Sequence, residues 1–364
     1  MQERYLTSYE ALCAGLTALD SNAIDASIYL LEHAHYHSRS KITTFVLDAP
    51  THIASHILNA WLQADWAAQT AAWWVLASAQ RLLPSKAEAL RDSTKPLTKI
   101  HANLHPQVGT QVAAWIYAWV TLEPKAAAQL PEQVRTLLLQ WFTEAHPERA
   151  LSSLQCLLAL HHDIAREDAA KVIARAVDAH IEGADVLGIR CGFIESAERL
   201  ATQILEGGPW ADVAVQAFVQ ILPEAIEAQL QAVNLRRNGR DREIRVATVL
   251  AAHGDVNAQK WLENACKTKD LRRRAMAWAA RVRSTSRAGQ DATLNELGKL
   301  LLREPESVRA WVLSTLDTQH PIHREWLLQA RDYGTEEEKS AVQDALRASL
   351  AQHPLVPDAS ETNL

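Results

Sequence analysis

The sequence predicts an all-α protein built as an α-solenoid, in which antiparallel helix pairs stack in chain order. Three observations support this prediction. The 364 residues are rich in Ala and Leu but include only 12 Gly and 13 Pro, a composition that favours helices over strands and their turns. Polar helix-opening residues recur at a period near 40, and an arginine pattern recurs in the second half of the chain. Repeats of this length with two helices each are typical of solenoids.

Four helix starts define the repeat in the first half of the chain. Asp65, His105, His146 and Asp185 each precede an apolar stripe with three- and four-residue spacing, and Pro follows both His residues. This is the pattern of an amphipathic helix behind its N-cap. The steps between the four positions are 40, 41 and 39 residues. Each interval leaves room for one further helix, so we expect about eight helix pairs in all. The fourth helix is predicted to run from Asp185 to Leu205 without interruption.

A tighter pattern recurs in the second half of the chain. Arg245, Arg274 and Arg309 each follow an acidic helix start and precede Ala within two residues or fewer, with steps of 29 and 35 residues. This pattern resembles the second helix of HEAT repeats, over roughly residues 205–350, and residues 50–205 resemble them more loosely by period alone. The resemblance implies a curved right-handed stack that binds other macromolecules, and it implies a structural role for the inward arginine. It does not identify a ligand.

These patterns predict three segments. Residues 1–205 are expected to form divergent helical-pair repeats, and residues 206–352 are expected to form HEAT-like repeats. Residues 353–364 include two prolines and no periodicity, so we expect a disordered tail.

Residues 234–287 carry a large surplus of positive charge. They include fourteen basic and five acidic residues, although the whole chain has a net charge of −6. Such a surface attracts polyanions or acidic proteins, and Arg suits bidentate contacts with phosphate or carboxylate. The alternative is a solvated face whose arginine stems pack on the stack and pair with nearby carboxylates. The candidate binding residues are Arg236, Arg237, Arg240, Arg242, Arg245, Arg272, Arg273, Arg274, Arg281 and Arg283.

Two functions follow from this charge distribution. We favour a non-catalytic scaffold, adaptor or inhibitor that binds a protein partner, because the acidic remainder of the chain would repel nucleic acid. The alternative is a nucleic-acid-binding HEAT-repeat protein, including a DNA glycosylase-like enzyme. A family of bacterial DNA glycosylases is built from HEAT-like repeats and uses an Asp flanked by Trp residues. Asp270 lies between Trp261 and Trp278 in the basic segment, which is loosely similar to that arrangement.

The tryptophans give one further candidate contact. Twelve Trp occur beside only 4 Phe and 6 Tyr, and most are expected to pack in the core. Trp73 and Trp74 are adjacent on an apolar helix, where neighbouring rings point to different sides. We therefore predict that one of them lines an interface, for which Trp is a preferred anchor.

Three histidine pairs have the four-residue spacing that places two ligands on one helix face. No third ligand follows at a recognised spacing, so we interpret the pairs as polar positions at helix edges and expect no metal. The pairs are His33 with His37, His52 with His56, and His101 with His105.

Enzyme motifs are absent from the sequence. It contains no Gly-rich phosphate loop, no G-x-S-x-G elbow and no kinase signature, so we expect neither catalysis nor a cofactor. The four cysteines are far apart and form no CxxC pair, which is typical of reduced thiols in a cytoplasm. No apolar run reaches the length of a membrane span. We expect a cytoplasmic, bacterial-type protein, and its oligomeric state stays open.

Overall fold

A computed structural model describes residues 2–34, 36–123, 125–181, 183–235, 241–318 and 320–351, without the side chains of 2–7, 36–37 and 347–351. The regular elements in these ranges are all helical, which confirms the predicted all-α class. None of the helices in the described ranges is both long and apolar enough to cross a bilayer.

The chain divides into two compact units, Met1–Ile164 and Ala165–Leu364. We predicted that the type of repeat changes after residue 205. The division into compact units does not test that change, so it stays a prediction. The predicted tail at 353–364 lies outside the described residues.

In the first unit, helices follow one another with short connections. The most extensive packing joins α5 to α7, α7 to α10 and α9 to α10, and α3 also packs on α5. The helices are α1 (Gln2–Thr17), α2 (Ser21–His33), α3 (Tyr36–Asp48), α4 (Thr51–Trp61), α5 (Trp66–Leu82), α6 (Pro84–Thr94), α7 (Pro106–Leu122), α8 (Ala126–Gln129), α9 (Glu132–Thr143) and α10 (Pro147–Ala159).

Tryptophan fills the core of this unit. Trp73 on α5 lies 5.2 Å from Trp115 on α7, and Trp115 stacks on Trp119 at 5.4 Å between ring centroids. All three are 1 % exposed. Such aromatic pairs contribute about 0.5–1.5 kcal/mol beyond the burial of their area. These contacts fix α5 against α7.

Three of the four predicted helix starts of the first half are confirmed. Asp65 accepts hydrogen bonds from the backbone N–H groups of the second and third helical residues of α5. His105 and His146 cap α7 and α10 through their side chains, and Pro stands at the first helical position of both. A side-chain cap satisfies a backbone donor that the helix itself cannot pair.

The second unit contains a row of helices that pack on one another in succession. α14 packs on α16, α16 on α18, α18 on α20 and α20 on α22, and the intervening helices pack beside this row. The helices are α11 (Arg166–Asp178), α12 (Ala184–Arg190), α13 (Ile194–Glu206), α14 (Ala211–Gln220), α15 (Glu224–Gln231), α16 (Asp241–Ala252), α17 (Val256–Ala265), α18 (Leu271–Arg287), α19 (Asp291–Leu301), α20 (Glu306–Ser314), α21 (Pro321–Tyr333) and α22 (Glu336–Ala351).

The predicted helix from Asp185 to Leu205 was wrong. Two helices, α12 and α13, occupy this stretch, and Asp185 lies inside the first turn of α12 rather than at its N-cap. Gly192 separates them with a φ of +76°, a backbone conformation that ends a helix and that Gly adopts without steric cost. The sequence indicated one helix because α12 and α13 each bury an apolar face in the same unit. Their two apolar stripes therefore look continuous across the turn.

Candidate functional site

The recurring arginine pattern places Arg245, Arg274 and Arg309 near the starts of α16, α18 and α20. Each of these side chains contacts a neighbouring element of the second unit. Arg245 donates from Nε to the carbonyl oxygen of Ile204 at 3.2 Å. Arg274 pairs with Glu304 at 2.6 Å, just before α20. Arg309 pairs with Glu338 on α22, also at 2.6 Å, and donates to the Glu304 carbonyl oxygen at 2.7 Å. These arginines therefore connect successive helices.

Two further candidate arginines form ion pairs near the surface. Arg272 Nη2 lies 3.1 Å from Asp241 Oδ2 on α16, and Arg281 Nη2 lies 3.0 Å from Glu263 Oε1 on α17. Exposed pairs of this kind contribute only about 0–1 kcal/mol to stability. They do reduce the charge that α18 presents to a polyanion, because each guanidinium already lies beside a carboxylate.

Two more of the candidate arginines in residues 234–287, Arg242 and Arg273, also contact other side chains. Arg242 Nη2 lies 3.6 Å from the carboxylate of Glu243. The guanidinium of Arg273 lies over the ring of Trp261, 5.9 Å from its centroid, within the range of a cation–π contact. Both arginines have partners within the second unit.

Arg283 differs from its neighbours. It is half-buried on α18, and burial lowers its pKa although Asp212 and Asp317 oppose the shift. Burial, the neighbouring His320 and the positive charge of Arg283 together lower the pKa of His323 to about 3. The remaining candidates, Arg236, Arg237 and Arg240, lie outside the described residues.

Asp270, the residue of the glycosylase-like alternative, caps a helix. Its Oδ1 accepts a hydrogen bond from the backbone N–H of Arg273 at 3.3 Å, which is the ordinary N-cap interaction. Trp278 is only 5 % exposed, and Trp261 is half-buried. This arrangement has a structural explanation without any catalytic role for the carboxylate.

The two adjacent tryptophans of α5 differ in exposure. Trp73 is buried in the core against Trp115, whereas Trp74 is half-buried. Of the two candidates, only Trp74 has ring surface left for a contact outside the unit.

Two of the three histidine pairs do not share a helix face. His33 ends α2, whereas residue 37 belongs to α3. His101 precedes α7, and His105 is its N-cap. Only the pair on α4, His52 with His56, lies on one helix. Within the described residues, no group of three His, Cys, Asp or Glu side chains is arranged to hold a metal ion.

A cleft that the sequence analysis did not identify lies among α19, α20, α21 and α22. Its volume is about 710 Å³, and the residues that line it are mostly apolar. Leu302 and Tyr333, at the ends of α19 and α21, are 67 % and 88 % exposed. We call this feature the α19–α22 cleft. The apolar stripes in the sequence do not reveal this cleft. Leu302 directly follows α19 and Tyr333 is the last residue of α21, so neither stands out as part of a stripe.

A polar group lies at the inner side of this cleft. The carboxylate of Glu338 accepts hydrogen bonds from Arg309 Nε at 2.6 Å and from the Thr335 backbone N–H at 2.9 Å. Thr335 Oγ1 in turn accepts from the Glu338 N–H at 3.3 Å, which completes a capping box at the start of α22. Burial alone would raise the pKa of Glu338, but the hydrogen bonds from Thr335 and Arg309 together lower it.

Comparison with protein-family models, with curated proteins and with solved structures gave no match to this chain.

Proposed function

We propose that this protein is a non-catalytic scaffold, adaptor or inhibitor, built as a HEAT-like α-solenoid, that binds a protein partner in a cytoplasm. The succession of helices from α14 to α22, each packed on the next of its row, supports the solenoid. Repeat proteins of this kind present long binding surfaces because each unit contacts only its neighbours.

The observation that carries the proposal is the contrast between charge and apolar surface in the second unit. The arginines of α18 lie beside carboxylates at Asp241, Glu263 and Glu304. By contrast, four large apolar side chains on or directly after α19 to α21 are exposed to solvent. Leu300, Leu302, Trp311 and Tyr333 are between 42 % and 88 % exposed. Leu302 and Tyr333 line the same cleft, and exposed apolar surface that is contiguous in this way favours a contact with protein.

Nucleic-acid binding remains the second candidate, because Arg242 and Arg272 are 49 % and 72 % exposed at their side chains. Exposed arginine of this kind suits phosphate contacts, which dominate affinity for nucleic acid. The glycosylase-like form of this candidate has less support, since Asp270 is the N-cap of α18.

Affinity purification separates the two candidates. Tagged protein is incubated with an extract of the source cells, with and without prior nuclease treatment. We expect the same protein partner to be retained at a fixed stoichiometry under both conditions. Loss of all bound material after nuclease treatment would contradict the proposal and support nucleic-acid binding.

A further inference from the structure

Helices α19 and α21 pack closely where Gly298 and Trp326 line the α19–α22 cleft. A Cβ atom added at Gly298 on α19 would lie 2.5 Å from Cζ2 of Trp326 on α21, so the indole ring lies directly against the backbone of α19. Only Gly permits this approach. α19 and α21 touch there, and the space toward Leu302 and Tyr333 stays open.

The cleft has the size and composition of a binding site. Its volume of about 710 Å³ falls within the roughly 300–1,000 Å³ of protein ligand sites. The apolar lining includes Leu301, Leu313 and Trp326. It continues outward onto Leu302 and Tyr333, whose exposure leaves apolar surface beyond the cavity itself. A compact small molecule would fill the cavity and leave this rim uncovered, whereas a segment of polypeptide covers both.

The charges in the cleft favour an acidic occupant. Glu338 is already neutralised by Arg309 and by the Thr335 N–H. Arg309 uses Nε and Nη1 for its hydrogen bonds, and Nη2 makes none with the described residues. Lys299 is 71 % exposed at its side chain and pairs only with Glu296, three residues earlier on α19. Such an exposed pair is weak. Lys299 is thus the cation that can exchange its weak partner for another carboxylate. The charge of Arg309 is balanced by Glu338, and its Nη2 group offers N–H donors only.

We propose that the α19–α22 cleft binds a short segment of a partner protein in which apolar side chains are flanked by Asp or Glu. The apolar side chains pack on Trp326, Leu313, Leu302 and Tyr333. The carboxylate pairs with Lys299 and accepts a hydrogen bond from Arg309 Nη2. This assignment rests on the proposed protein-binding function and names the chemistry of the partner.

The test uses a random dodecapeptide library displayed on phage and selected on the full-length protein. We expect enrichment of peptides that combine Leu, Phe or Trp with Asp or Glu. The double variant Leu302→Glu with Tyr333→Ser should weaken a selected peptide by about tenfold or more, as for loss of an apolar anchor. Its matched control, Val256→Glu, replaces a residue that is 56 % exposed on α17 and should leave affinity unchanged.

A charge reversal tests the acidic preference. Lys299→Glu should shift the selection from acidic to basic flanking residues, because the side chain is exposed and its replacement leaves the fold intact. Peptides that bind the double variant as tightly as wild type, or that show no acidic preference, would overturn the inference. So would a wild-type dimer that the double variant converts to monomer in sedimentation equilibrium, since a second copy of the chain would then occupy the cleft. If a protein partner is retained after nuclease treatment but the peptide selection fails, the cleft assignment is wrong and the proposed scaffold function is unaffected.

Discussion

At the scale of single residues, the arginines that recur near helix starts connect helices of the second unit to neighbouring elements. The register of Arg245, Arg274 and Arg309 is visible as a repeat, and in the structure all three reach adjacent elements. Glu338, the partner of Arg309, lies 29 residues away. Its identity depends on how α20 and α22 rotate against each other, which one sequence does not specify. For the same reason, the sequence did not show that Lys299 and Arg309 line one cleft.

The hydrogen bonds of Glu338 predict a specific pH dependence of stability. Its folded-state pKa is lowered, so the stabilisation is fully present above the unfolded pKa, about 4.3. It is lost as the pH falls through the folded pKa. Glu338→Gln should therefore reduce the free energy of unfolding by about 1–3 kcal/mol at pH 7, and the difference should shrink toward pH 3. Urea unfolding of both proteins across this range measures it.

The control for this experiment is Glu337→Gln, which replaces an exposed carboxylate on the same turn of α22. It should have little effect at any pH, as for most surface substitutions. A Glu338→Gln deficit that stays constant down to pH 3 would contradict the hydrogen-bonded, ionised carboxylate.

At the scale of helices, caps and apolar stripes predicted where several helices begin. Asp65, His105 and His146 were identified from polar residues before apolar stripes, and their side chains cap α5, α7 and α10. The break at Gly192 was missed, because isolated Gly residues inside an apolar stripe are compatible with a continuous helix. The close approach of α12 and α13 depends on long-range packing and leaves no local pattern.

This close approach gives a prediction for Gly188. A Cβ atom added there would collide with the Ser196 hydroxyl and lie 2.7 Å from Ser196 Cβ, and Ser196 is 1 % exposed. Gly188→Ala should therefore destabilise the protein by about 1–3 kcal/mol, although Ala is favoured over Gly in an unobstructed helix by about 1 kcal/mol. Chemical denaturation of the purified variant measures the change.

A double-mutant cycle with Ser196→Gly supplies the control. Removing the Ser196 side chain removes both contacts, so the double variant should be less destabilised than the sum of the single variants. Additive effects, or a stabilised Gly188→Ala protein, would show that α12 and α13 do not pack this closely.

At the scale of the whole molecule, composition and period predicted the all-α class correctly, because helix propensity and repeat length are properties of the sequence itself. The candidate binding site was harder to predict. Net charge along the sequence drew attention to residues 234–287, but charge in sequence does not show which arginines lie beside carboxylates such as Glu263 and Glu304. The apolar α19–α22 cleft became visible only with the packing of four helices.

We propose that this protein binds protein rather than nucleic acid, and that the arginines of α18 stabilise the packing of the second unit. Fluorescence anisotropy of a labelled 25-base-pair duplex at about 0.15 M salt tests it most directly, with wild type and with Arg272, Arg273 and Arg274 together replaced by Ala. We predict no dissociation constant tighter than the roughly 1–100 µM of non-specific binding for either protein. The triple variant should also melt at a lower temperature, because the largely buried carboxylate of Glu304 loses its partner Arg274. Nanomolar binding by wild type that the triple variant loses would show that the protein binds nucleic acid instead. A salt slope that flattens by about 0.9 for each lost phosphate contact would identify nucleic acid as the ligand.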